Sequence, residues 1–215
     1  MKLVIANKNY SSWSMRPWLL LKHYGIPFEE IQIWLQKDDS AEQIRKYSPS
    51  GRVPALIGDD GHVVWDSLAI CETLAERFLE HPWWPRDANL RACARAVSAE
   101  MHSGFGDIRE AMPMNIRMRR PSIGEKAGLH PSVRRIDTLW RESLARSQGP
   151  FLFGEFGIAD AMYAPVVMRF NSYQPTVLTD EARAYAERIT ALPAVREWIA
   201  ASQDEPAIAS YDAVA

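Results

Sequence analysis

Ser11, Ser12 and Ser14 cluster in the segment NYSSWSMRPWLLLK, directly ahead of an apolar stretch whose spacing predicts a helix. A hydroxyl in that place can donate a hydrogen bond to an anion, and the positive end of the helix dipole adds to the effect. Pro17 lacks an N–H and is harmless in a first turn, which makes Trp13 or Ser14 the expected cap and leaves Ser11 in the loop before it. A second candidate is Asp66-Ser67, which opens the helical stretch DSLAICETLAERF. Such a pair caps a helix, and the same helix N-terminus is a ready anion site. The third is Val53-Pro54; X-Pro bonds are cis in only about 5–6% of folded cases, so the dipeptide by itself predicts trans. Cys71 and Cys93 are too few for a disulfide framework and show no CxxC or Cys/His spacing, so neither a redox pair nor a metal site is expected.

The elements that must position these residues fall into two groups. LVIA at 3–6 and IQIW at 31–34 read as strands around a helix that closes near Gly25, a βαβ unit. SAEQIRKY then reads as a helix, and PALI, a DDGH turn and VVW as a hairpin. Leu68, Cys71, Leu74, Ala75 and Phe78 recur at helical spacing and close an α/β domain over residues 1–79. EHPWWPRDAN breaks the periodicity and places a linker at 80–87. Residues 88–215 are all helical in pattern. RACARAVSAEMHSGFGDIREAM reads as one long helix, and GIADAMYAPVVMRFN is apolar nearly all round, as a buried helix is. A mass of 24.4 kDa with 47% hydrophobic residues fits a folded protein of this size. The formal charge of −2 lacks the basic excess that nucleic-acid binding draws upon. The apolar runs are too short for a ~30 Å hydrocarbon layer and the start lacks a signal peptide's apolar stretch, so a cytoplasmic protein is expected.

A small β-α-β-α-β-β-α domain followed by a helical one resembles the cytosolic glutathione transferases over nearly the whole chain. SSWSMRPWLLLK is similar to the SSxS segment of the zeta class, within a zeta/theta-like, serine-type group. SGRVPAL resembles the family's G-[KRQ]-V-P-x-L segment and DSLAICETLAERF its [EDQ]-S-x-A-I-x-x-Y-L helix start. The resemblance implies an N-terminal thioredoxin-like domain, a C-terminal helical bundle and glutathione as co-substrate, with no metal. A free thiol has a pKa of about 8.5, so the thiolate needs a donor; the resemblance assigns this to Ser11, with Ser12 beside it. It also implies a cis Val53-Pro54 bond whose Val53 backbone pairs with the cysteinyl unit. Arg52 and Lys37 would meet the glycine carboxylate, Asp66 the ammonium group and Ser67 the γ-glutamyl carboxylate.

An acceptor pocket is expected from Trp13, Met15, Met101, Phe105 and Met112, with Ile108 on the same stripe and His102 and Arg109 able to polarise an acceptor. Family members generally pair, so a homodimer is expected. Two other functions fit the resemblance: a glutathione-dependent cis-trans isomerase of the maleylacetoacetate isomerase type, and a non-catalytic binding module on the same fold. FLFGEFGIADAMYAPV departs from the family's F-x-x-G-x-x-[ST]-x-A-D at Gly157. Loss of the Ser or Thr cap there is expected to cost only a few tenths of a kcal/mol.

Overall fold

Strand β1 (Lys2–Ile5) lies inside a four-stranded sheet, with β2 (Glu29–Gln32) parallel on one side and β3 (Ala55–Ile57) antiparallel on the other. β4 (Val63–Trp65) pairs with β3, giving the order β2-β1-β3-β4. The central place accounts for the sequence of β1, since Leu3, Val4 and Ile5 are wholly buried. Helix α1 (Ser12–His23) joins β1 to β2, α2 (Ser40–Arg45) joins β2 to β3, and α3 (Ser67–Arg77) follows β4. The computed structural model describes residues 1–213. The expected order of the first domain holds, with β2 two residues earlier than the IQIW pattern suggests.

The helical domain comprises α4 (Ala88–Ser103), α5 (Gly106–Ala111), α6 (Pro121–Gly124), α7 (His130–Ser147), α8 (Ile158–Tyr173), α9 (Asp180–Ala191), α10 (Pro193–Ala201) and α11 (Ala209–Asp212). Every residue of α8 except Asn171 is buried, which explains its all-round apolar sequence. It packs on α1 as well as on α4 and α9, so one core runs through both domains.

The single helix expected over 91–112 is two helices. A Cβ at Gly104 would stand 2.7 Å from the Glu100 carbonyl, and Phe105 takes a left-handed φ of 58°. The chain therefore turns at this point, and Met101, Ile108 and Met112 go into the core instead of forming one stripe along an acceptor pocket. Gly157 is a second correction. Its φ of −147° is open to any residue, but a Cβ would lie 2.7 Å from the Trp83 carbonyl, which accepts the Ile158 N–H at 3.0 Å. Linker backbone has replaced the missing side-chain cap. Asp160 still reaches back to the Gly157 N–H at 3.0 Å.

The loop between β1 and α1 is held from far along the chain. Glu205 accepts from the N–H groups of Lys8 (2.7 Å) and Asn9 (2.8 Å). Asn9 also bonds Asn115, the Tyr10 hydroxyl bonds Asp212, and the Trp198 indole donates to the Lys8 carbonyl.

Candidate active site

Helix α1 begins two or three residues ahead of expectation. Ser11 is its N-cap and accepts from the Ser14 N–H at 3.4 Å, so neither Trp13 nor Ser14 caps the helix, and Pro17 is its sixth residue. The Ser11 hydroxyl donates to Ser14 Oγ at 2.8 Å, and Ser14 Oγ also accepts from the Ala6 N–H at 3.1 Å. Ser12 Oγ accepts from Arg169 at 3.2 Å. Ser11 and Ser12 are both buried, at the mouth of the helix dipole.

Helix α3 begins as the sequence suggests. Asp66 Oδ1 caps it, accepting from the N–H groups of Leu68 (2.9 Å) and Ala69 (3.3 Å). Asp66 itself has φ +77°, a strained conformation for a residue with a side chain and one that recurs at ligand sites. Its Oδ2 lies 3.1 Å from His102 Nε2 on α4, which ties the two domains together beside Ser67. The Val53-Pro54 bond is cis, as the resemblance implies and against the expectation from the dipeptide alone.

These segments line one cavity of about 540 Å³, bounded by Trp13, Ser50, Arg52, Val53, Pro54, Trp65, Asp66, Ser67 and His102. The proline loop and the start of α3 thus converge, and Trp13 brings the start of α1 to the same cavity. Several expected members do not arrive. Lys37 is exposed and outside the lining. Ser11 and Ser12 also lie outside it. Met15, Met101 and Met112 are buried in the core, and Phe105 packs partly against it, so of the five acceptor residues only Trp13 borders the cavity. Trp65 and Ser50 were not singled out by sequence; the VVW and SPSG contexts that carry them read only as strand and turn.

Under Trp13 lies a group of cations of which the sequence reading singled out Arg109 and His102 but not Arg16 or Arg169. The guanidinium carbons of Arg16 and Arg109 stand 4.3 and 4.6 Å from its ring centre, and His102 meets the ring edge-on. Arg16 donates to Ser67 Oγ at 3.0 Å, Arg109 to the carbonyls of Gly104 and Met101, and Arg169 to the Met112 carbonyl and Ser12. Burial, then repulsion from Arg109 and Arg169, lowers the Arg16 pKa to about 9; burial and Arg109 do the same to Arg169. Both remain charged at neutral pH. Burial pushes the Cys71 thiol up, so it stays protonated and offers no nucleophile.

The glutathione S-transferase N-terminal domain model matches residues 10–77 and the C-terminal domain model residues 124–201. The chain belongs to the glutathione S-transferase family. A probable maleylacetoacetate isomerase of Caenorhabditis elegans is 34% identical over 164 residues, covering 75% of each chain. Two solved structures share the fold. One is a zeta-class maleyl pyruvate isomerase of bacterial origin, with a TM-score of 0.74 and 24% identity over 96% of this chain and all of the other. The second is a Burkholderia glutathione transferase homolog solved with bound glutathione, with a TM-score of 0.70 and 24% identity over 95% and 98% of the two chains.

Proposed function

We propose that this protein is a glutathione transferase which binds glutathione in the 540 Å³ cavity, ionises its thiol at the start of α1 and presents the thiolate to an electrophile beside Trp13. The observation that carries this reading is the convergence of Arg52, Val53, Pro54, Asp66 and Ser67 on one cavity at the N-terminus of α3, in a chain of this family. Val53 pairs its backbone with the cysteinyl unit, a form of strand addition. Arg52 takes the glycine carboxylate, with the exposed Lys37 as a second cation for it. Asp66 takes the ammonium group and Ser67 the γ-glutamyl carboxylate.

Ser11 supplies the proton donor to sulfur. A serine hydroxyl has one hydrogen and two acceptor sites. Ser14 Oγ already accepts from Ala6, so turning its own hydrogen toward Ser11 Oγ leaves Ser11 free to donate to the thiolate. Ser12 is the second donor, since its oxygen accepts from Arg169 and its hydrogen is uncommitted among the described residues. Ultraviolet titration of bound glutathione tests the assignment: in Ser11→Ala the thiol pKa rises toward about 8.5. A rise in Ser12→Ala alone moves the role to Ser12.

An isomerase reading has its own support in Arg109, partly buried against Trp13, whose charge suits an acidic acceptor, and in the 34% identical relative. There the thiolate adds reversibly to a conjugated cis double bond and glutathione is recovered. Stoichiometry separates the two, because conjugation consumes one glutathione per turnover and isomerisation none. A pure binding module predicts no turnover with either.

A further inference from the structure

Tyr10, the residue before Ser11, is buried, and its hydroxyl is the meeting point of three distant segments. The Arg117 guanidinium donates to it at 3.0 Å and the Ile208 N–H at 3.1 Å, while Asp212 lies 3.0 Å away through Oδ1 and 3.2 Å through Oδ2. A phenol has one hydrogen and a limited capacity to accept. Guanidinium and amide can only donate, so the Tyr10 hydrogen goes to Asp212. The same carboxylate accepts from Asn115 Nδ2 at 2.7 Å, and the Tyr211 ring packs 5.2 Å from that of Tyr10.

Helix α11, which carries Asp212, has no buried residue, so these contacts and the bond from Gln36 to Ser210 hold it where a core face holds other helices. What fastens α11 is also what fastens Tyr10. From Tyr10 the restraint passes directly to the serines: its carbonyl accepts the Ser12 N–H at 3.1 Å, and the Tyr10 and Ser11 N–H groups share the Asn7 carbonyl at 3.2 and 2.8 Å. A catalytic donor is sensitive to its place, and a misplacement of about 1 Å arising far from the chemistry can cost on the order of a hundredfold. We infer that Asp212 is a positioning residue, which fixes the Tyr10 hydroxyl and through it the loop that presents Ser11 to the thiol. It lies outside the cavity lining and 202 positions from Tyr10 in sequence. The inference rests on the reading that Ser11 donates to the thiolate of bound glutathione.

Three variants of the full chain test it: Asp212→Ala, which removes the acceptor; Tyr10→Phe, which removes the donor; and Asp212→Asn, whose Oδ1 can still accept from Tyr10 and Asn115. Each is measured by ultraviolet titration of bound glutathione, by steady-state kinetics, and by the Kd of S-methylglutathione, a ligand without an ionisable thiol. In Asp212→Ala and Tyr10→Phe the thiol pKa is expected to rise toward about 8.5 by about half a unit or more and kcat to fall about fivefold, with the Kd of S-methylglutathione within about twofold. Asp212→Asn is expected to keep the wild-type thiol pKa and kcat. A merely structural role would lower the urea midpoint without moving the thiol pKa, or would weaken S-methylglutathione as well. Either result overturns the inference, and so does an Asp212→Asn protein that behaves like Asp212→Ala. If Tyr10→Phe does not fold, the two Asp212 variants decide alone. A wild-type protein whose bound thiol titrates near about 8.5, or a Ser11→Ala protein with an unchanged thiol pKa, defeats the Ser11 reading and this inference with it. Wild-type protein that binds neither ligand defeats the glutathione reading itself.

Discussion

Asp66 caps α3 through one oxygen and meets His102 through the other, so its proposed contact with an ammonium group is separable from its structural work. Asn caps a helix about as well as Asp but carries no charge. Asp66→Asn is therefore expected to weaken glutathione about tenfold, some 1.4 kcal/mol, and to leave a deaminated glutathione analogue nearly unaffected. Competitive titration of the two ligands measures this. Asp160 makes a different prediction. Burial raises its pKa from 3.8 to about 6 despite bonds from the N–H groups of Leu152 and Gly157 and from the Tyr185 hydroxyl. The folded state thus holds this proton more tightly than the unfolded chain does, so its contribution to stability is full below about pH 4 and falls as pH rises to about 6. In Asp160→Asn that part of the slope disappears, which paired urea melts between pH 4 and pH 7 will show as a difference from wild type. Asp66, Ser67 and Pro54 were legible because their types sit in recognisable local patterns. Arg16 was not, because a charged residue in a helical segment reads as surface unless its neighbours in space are known.

Among the elements, Gly157 shows how a local rule can mislead. By capping statistics a serine at this position improves α8, yet its Cβ would meet the Trp83 carbonyl that already serves as the cap. Gly157→Ser is expected to destabilise by about 1–3 kcal/mol, the range for overpacking, and denaturant melts will register it as a lower midpoint at unchanged m. Most helices and strands were legible from periodicity. The break at Gly104 escaped because Met101, Phe105, Ile108 and Met112 keep helical spacing straight through it. A period reports the buried face of a segment and says nothing of a carbonyl approaching from the previous turn.

Taken whole, the chain is fastened by contacts no local pattern could reveal. Glu205→Ala would leave the Lys8 and Asn9 amides without their acceptor, at about 1–3 kcal/mol for each, and is expected to lower the urea midpoint accordingly. Association of two copies is a prediction at this scale too. Ile70, Cys71, Leu74 and Met101 are spent inside the subunit, but α4 keeps Ala88, Ala92, Ala96 and Ala99 exposed on one side. Light scattering at micromolar concentration is expected to give a mass near twice 24.4 kDa, and a single-subunit mass would refute the pairing. The Glu205 clasp also orders events in time. It reaches back 197 residues to the loop that leads into the serines, so a ribosome has made every residue lining the cavity long before that loop can be fastened. A product halted after Ala201 would carry the whole lining and still lack its anchor. A chain ending at Ala201 is therefore expected to turn over glutathione more slowly than the full chain, which a paired activity assay checks.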